Sequence, residues 1–576
     1  MIGIAGSGLF FQSAVAASST GAYLAARHAA THDDSDAAAT YYARALAADP
    51  ERRDLLEQTL LYKVSSGQID SALKIAKTLV EDHPRQRIAQ LVILADDIRS
   101  ENYDAAKERL DAETNVAFHP VTRRLVGGWV TFGQAGLSDA ITEFEMLEGQ
   151  DLYKVFSNYH KGLAAALSEP DTARESFDAA IGDNAPSVRL AEAYGRFLEG
   201  ENLKDEAQAL YERTLESAPA DPIVEDAVAR LKKDGAAPEP LVNSPAEGAS
   251  ESLYGLASAF ARDANGVRLS LIYAQLALYL DPTNEAAHLL LGNLLEAQER
   301  WEAAAGAYEV FDEDSAYFRH AQVGRAEAFS RIERVDDALG ALRGLEKSFP
   351  EDESIPIAIG DLLRRSERYE EALAPYNRAI EIVGEENERY WSLYYARGVC
   401  NERTDNWDQA QADLLLALEY RPDQAHVLNY LGYSWIEQGR NFEPAKQMIE
   451  RAVELRPEDG YIADSLGWVQ YKLGEFDEAV DTMERAVELV PTDPVINDHY
   501  GDTLWVVGRK LEAEFQWRRA LSFEPEEQDL EDRIRRKIKV GLDVVLEEEA
   551  DGEASETSTE TEAAETKQLE KEADGG

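Results

Sequence analysis

The sequence predicts an all-α solenoid of stacked antiparallel helix pairs, about fourteen of them, with the middle ones degenerate. Two observations carry that prediction. The first is a period of about 34 residues between Gly398 and Pro525. Glycines stand at Gly398, Gly432, Gly467 and Gly501. Alanines stand at Ala410, Ala445, Ala479 and Ala513, and again at Ala417, Ala452, Ala486 and Ala520. Prolines follow at Pro422, Pro457, Pro491 and Pro525. An occasional step of 35 places one extra residue in a loop between Gly439 and Pro444.

The second observation is the pattern inside one period. In residues 461–491, Ile462, Leu466 and Val469 fall at helical spacing, and Leu473-Gly474-Glu475 breaks the run. A second helical run follows through Ala479, Val480, Met483, Val487 and Leu489. Small residues at Gly467, Ala479 and Ala486 let two helix backbones approach. Pro491 ends the second helix, because proline cannot continue the hydrogen-bond ladder. One such hairpin cannot bury its apolar face alone, so neighbours must stack.

Weaker copies extend the pattern over most of residues 20–525. In the C-terminal half, Gly360 pairs with Ala372, Tyr376 and Ala379, and Gly292 with Ala304 and Tyr308. Ala338 with Pro350 and Ala277 with Pro282 mark two more. In the N-terminal half, Gly195 pairs with Ala207, Tyr211 and Pro219, and Gly128 with Ala140 and Phe144. Fainter copies centre on Phe177, Ala106, Ala72 and Ala45.

Residues 18–233 read as one block of repeats and residues 251–525 as a second. Between them, residues 234–250 are rich in Pro, Gly, Ala and Ser and read as a linker. Residues 526–546 read as a helix capping the last repeat: Leu530, Ile534, Ile538 and Leu542 recur every four residues. Its Arg533, Arg535, Arg536, Lys537 and Lys539 are expected to face solvent. Residues 547–576 form an acidic tail without aromatics and are expected to be disordered.

Residues 1–17 are apolar and end in Ala14-Val15-Ala16, which resembles the back half of a secretion signal, although no Lys or Arg occurs before Arg27. They predict export, with cleavage near Ala16 or Ala17. A merely hydrophobic lead-in and a cytoplasmic protein are the alternative.

Composition narrows the function. With 58 Lys and Arg against 110 Asp and Glu, the net charge is −52. Such a field repels phosphate backbones and anionic lipid, so nucleic acid and direct membrane contact are unfavoured. The one cysteine, Cys400, cannot build a disulfide or a zinc knuckle, and reads as a small buried hydrophobe. There is no phosphate loop, no GxSxG elbow and no HExxH helix. The cluster His32, Asp33, Asp34 and Asp36 lacks a calcium-loop pattern and reads as a solvated turn. No metal, cofactor or small-molecule substrate is expected, nor catalysis.

The phased landmarks resemble those of the tetratricopeptide repeat: Leu431-Gly432, Leu466-Gly467 and Tyr500-Gly501, each followed by its two alanines and a proline. The resemblance implies a right-handed superhelix whose first helices line a concave groove for a protein or peptide. It places Asn429, Tyr433, Asp464, Trp468, Tyr471, Asp498, Asp502 and Trp505 on that groove. Aromatics and amides suit such a role, although aromatics at helical spacing also seal packing between repeats. The acidic members predict a neutral or basic client.

Leu431-Gly432-Tyr433, Asp464-Ser465-Leu466-Gly467-Trp468, Leu504-Trp505 and Trp517 are also similar to repeats of a proteobacterial envelope family. That family includes the lipoprotein adaptor of a periplasmic carboxyl-terminal processing protease, whose N-terminal lipid-bearing cysteine has no counterpart here. The likeness implies a non-catalytic envelope adaptor or scaffold. The alternative is a cytoplasmic interaction protein, such as a chaperone partner or a regulator of envelope synthesis.

Overall fold

The computed structural model describes residues 19–550, apart from 113–117, 148–150, 183–184, 220, 234, 264–265 and 385–387. The signal-like segment 1–17 and the tail beyond residue 550 lie outside the described residues. Thirty-one α-helices and two short 3-10 turns, joined by loops, make up the described residues, which contain no strand. Neighbouring helices pair into six hairpins between Ser19 and Ser217 and eight between Pro245 and Ser522, fourteen in all. Three helices stand outside that pairing: Pro222–Lys232, the terminal capping helix Gln528–Val540, and a last one over residues 542–550, which takes in residues 547–550 that were assigned to the tail. The fold is an α-solenoid of tetratricopeptide type, as the 34-residue period predicts.

Nine of the fourteen hairpins are fastened by the same contact. A glycine of the first helix receives a large side chain of the second, about four turns further along the chain. Phe144 lies over Gly128, Phe177 over Gly162, Tyr211 over Gly195, Tyr308 over Gly292 and Tyr376 over Gly360. In the C-terminal repeats the inserted residues are Leu414, Ile449, Met483 and Trp517. All nine are at most 1% exposed. A Cβ at Gly195 would stand 2.1 Å from Tyr211 Oη, and one at Gly501 2.4 Å from Trp517 Nε1. Glycine is therefore required by close approach, not by helix propensity, which it lowers.

The turn inside a hairpin needs one left-handed residue. Gly474 supplies it at φ 80°, and Gly508 at φ 83°. The loop carrying the extra residue has two, Gly439 at φ 66° and Asn441 at φ 52°. The insertion inferred from the shifted landmarks thus lies at Gly439 to Asn441; the loop stops short of Pro444, which is already in helix Phe442–Leu455.

The chain divides into two compact units, Met1–Pro350 and Glu351–Gly576. In the first unit the hairpin of Pro245–Phe260 and Val267–Leu280 does more than continue the stack. It packs on Arg53–Ser65, Arg87–Arg99, Pro120–Ala135 and Asp151–Ala165, the first helices of four earlier hairpins. Tyr273 Oη meets Thr122 Oγ1 at 3.1 Å, Trp129 covers Gly248, and Arg99 lies over the Tyr279 ring. The groove of the N-terminal repeats is therefore filled by the chain itself.

Two expectations are corrected here. Residues 245–250 are not linker: they are the first turns of the Pro245–Phe260 helix, with Gly248, Ala249 and Ser250 buried. The small residues that read as a flexible connector are there for close packing. The division also falls at Pro350 rather than near residue 250, because the inserted hairpin binds its following repeats to the N-terminal ones.

The glycine contacts make a graded prediction. Trp517 is rigid and pinned by a hydrogen bond to Asp502, whereas Met483 over Gly467 is flexible. Gly501→Ala should cost about 1–2 kcal/mol net of its helix-propensity gain, and Gly467→Ala should be near neutral. Urea unfolding compares the two, and equal losses would contradict this packing. Hydrogen exchange should place the damage in adjacent repeats.

Candidate partner-binding groove

In the second unit the first helices are Ser354–Arg365, Trp391–Arg403, Ala425–Glu437, Gly460–Leu473 and Pro494–Val506. The last three carry all eight residues assigned to the groove. They fall into two groups.

Tyr433, Asp464, Trp468 and Tyr471 form one connected cluster. Trp468 is 8% exposed. Its ring stacks on Tyr471 at 5.0 Å and on His499 at 4.1 Å, and its Nε1 donates to Glu437 Oε1 at 2.8 Å. Tyr433 and Tyr471 pack on the same core and stay half-buried. Burial, with the Asp502 charge second, pushes the Tyr471 phenol up to about 12. Trp468 is thus a packing residue, whereas Tyr433 and Tyr471 keep an accessible face beside exposed Glu437 and Lys472. Asp464 holds His499 Nδ1 at 3.1 Å from both carboxylate oxygens. Burial pulls the His499 pKa down, but the charges of Asp464, Asp498 and Asp502 outweigh it and raise the imidazole above its ordinary value.

Asp498, Asp502 and Trp505 are a different matter. Both carboxylates are 1% exposed and hold Lys537 of the terminal helix. Lys537 Nζ donates to Asp498 at 2.9 and 2.7 Å and to Asp502 at 2.7 Å. Arg533 adds contacts at 3.6 and 3.7 Å, and Trp517 Nε1 donates to Asp502 at 2.9 Å. Gly541 abuts the Trp505 indole, which lies 5.2 Å from Trp517. The terminal helix therefore covers this end of the groove. Its basic face was expected in solvent; Lys537 is instead fully buried, because two carboxylates one helical turn apart require a cation. The expected negative groove is corrected in the same stroke. Asn429 is also less available than expected, since its Oδ1 is buried without a partner.

Exposed charge elsewhere on these first helices comes from Arg365 and Arg403. Half-buried Tyr395 meets Tyr430 edge-on at 6.0 Å. Tyr395 occupies the same offset from Gly398 as Asn429, Asp464 and Asp498 do from the later glycines, and Arg365 and Arg403 lie one residue beyond the offset of Tyr471 and Trp505. The repeat spacing that marks the groove positions in the last three repeats extends to the repeats of Gly360 and Gly398. Among the described residues no group of His, Cys, Asp or Glu is placed to hold a metal ion, and no helix is long and apolar enough to cross a membrane.

A family model of the tetratricopeptide repeat matches residues 323–387 and 438–494; the chain carries tetratricopeptide repeats. A TPR repeat-containing protein of Pseudomonas aeruginosa is 27% identical over 197 residues, which span 34% of this chain and 32% of that protein. The match thus spans about a third of the length of that relative. Among solved structures, the Cut9-Hcn1 hetero-tetramer of APC/C aligns over 92% of this chain and 97% of its own, at 14% identity and a TM-score of 0.35. YrrB, described as a TPR protein with an unusual peptide-binding site, aligns over 34% of this chain and 98% of its own at 21% identity and 0.27. MamA of Desulfovibrio magneticus aligns over 31% and 97% at 16% identity and 0.27. At those scores the structural likeness carries no functional weight.

Two outcomes are expected. Lys537→Met strands two buried carboxylates and should destabilise the C-terminal repeats by about 3–5 kcal/mol, read by urea unfolding. The His499–Asp464 pair makes a pH test. A raised folded pKa means that the pair's contribution is full below the unfolded value, about 6.5, and is lost as pH rises through the folded value. The stability gap between wild type and His499→Gln should therefore shrink from pH 6 to pH 9. A gap that widens would reverse the assignment.

Proposed function

We propose that this protein is a non-catalytic adaptor that holds a partner segment on the first helices of its second unit. The observation that carries this reading is the contrast between the two units. The N-terminal groove is filled by the chain's own hairpin, whereas the second unit keeps Tyr433 and Tyr471 half-exposed among Glu437, Lys472, Arg403 and Arg365. With Asp498 and Asp502 neutralised from within, exposed cations outnumber anions here. The client segment is accordingly extended, with an apolar or aromatic side chain and neutral or acidic neighbours.

The envelope reading rests on the apolar start of the sequence and on the likeness of the last repeats to proteobacterial envelope adaptors. Its natural clients are a periplasmic processing protease or an assembly enzyme. Cell fractionation with sequencing of the mature N-terminus tests the compartment. Recovery of the intact Met1 form in the cytosol would move the same adaptor to the cytoplasm.

Capture of partners from envelope extract tests the surface. A Tyr433→Ala, Tyr471→Ala double variant should lose about 2 kcal/mol of binding or more, about 30-fold, with the fold retained. Equal capture by wild type and variant would place recognition elsewhere. A captured set without any protease or assembly enzyme would remove the envelope-adaptor reading.

A further inference from the structure

The first unit holds a cavity that the groove reading does not use. It lies where the inserted Pro245–Phe260 helix crosses Asp151–Ala165 and the start of Val188–Gly200, and it measures about 260 Å³. One wall is apolar, built from Val155, Phe156, Leu190 and the Tyr254 ring. His160, Ser187, Ser258 and Arg262 add polar groups to the lining.

His160 is the informative group. It is 1% exposed, yet it lines the cavity. Trp129 Nε1 donates to its Nδ1 at 3.1 Å. An indole nitrogen can only donate, so Nδ1 is the acceptor and the ring proton sits on Nε2. No hydrogen bond from Nε2 to a described residue is present, so its N–H can donate to whatever enters the cavity. Burial lowers the His160 pKa to about 4, so the ring is neutral at physiological pH and acts as a fixed dipole rather than a charge.

The charged groups at the floor are already matched. Arg189 Nε and Nη2 donate to Glu251 at 3.1 and 2.6 Å, and Nη1 donates to Glu192 at 2.8 Å. Tyr159 Oη donates to Glu251 at 2.9 Å. Both Glu251 oxygens are thus engaged, and the remaining lining cation is the exposed Arg262. The site offers donors and a positive rim to an acceptor head group, and an aromatic wall to its body. Its volume is below that of a drug-sized pocket and suits one ring.

We propose that this cavity binds a small aromatic monocarboxylate, its ring against Phe156 and Tyr254 and its carboxylate toward His160 Nε2 and Arg262. The site is independent of the partner groove, which lies in the other unit.

The test uses the full chain and isothermal titration calorimetry with 3-phenylpropionate, 3-phenylpropionamide and 3-phenylpropylamine. The acid should bind saturably with a dissociation constant of about 1 mM or tighter, and at least 10-fold more tightly than the amide or the amine. Gly255→Leu is the blocking variant. A Cβ there meets only Phe156, at 3.7 Å, an ordinary contact, so the leucine fits the backbone and its branches enter the cavity. Leucine also favours the helix over glycine, so the variant should melt no lower than wild type. It should abolish binding, and Arg262→Gln should erase most of the preference for the acid. The proposal is overturned if the acid shows no saturation, if the amide or amine binds equally well, or if binding survives Gly255→Leu; the cavity is then a water-filled void only.

Discussion

The insertion of one large side chain over one glycine is the contact on which the solenoid depends. It sets the distance between the two helices of a hairpin, and each hairpin is the template for the next. The inserted residue varies from Phe and Tyr to Leu, Ile, Met and Trp, while the receiving position stays glycine. Volume at the knob can change because neighbours adjust; a Cβ in the socket cannot be accommodated against an aromatic ring. The alanine landmarks serve the same end. Ala410, Ala445, Ala479 and Ala513 are all fully buried.

Stacked hairpins create a second demand, since their first helices present a continuous concave surface. A face of that kind must be polar, filled or reserved for a partner. This chain uses different solutions in its two units. In the first, helix Arg87–Arg99 is buried almost all round, from Ala89 to Ala95, because the inserted hairpin lies against it. In the second, the terminal helix closes only the last repeat, through Lys537. The aromatic and charged residues further up that face remain accessible.

The repeat itself was legible in the sequence because its packing is local. Gly467 and Met483 are close in the chain, so their spacing records their contact. The loop insertion at Gly439 to Asn441 was legible for the same reason. What was not legible is long-range. The burial of Lys537 by Asp498 and Asp502 joins residues more than thirty positions apart, and a basic helix reads the same whether its lysine points in or out. The inserted hairpin does leave a trace in the sequence: Val267–Leu280 is apolar on nearly every face, too apolar for a helix with one side in water. The composition of residues 234–250 pointed the other way, because Gly, Ala and Ser serve flexible linkers and tight helix packing alike. Of the groove residues, Tyr433 and Tyr471 keep a face open, whereas Asp498, Asp502 and Trp505 pack against the terminal helix and the residues that follow it.

The position of the inserted hairpin in the chain also orders events during synthesis. Translation proceeds from the N-terminus at about 5–20 residues per second, and repeats can form as they emerge. The first six hairpins are complete by Ser217, but the segment that fills their groove ends only at Leu280. For several seconds the nascent chain therefore carries an assembled but empty apolar channel, open to chaperones and to other chains. Until the hairpin arrives, the first unit is in the state that the second unit keeps permanently.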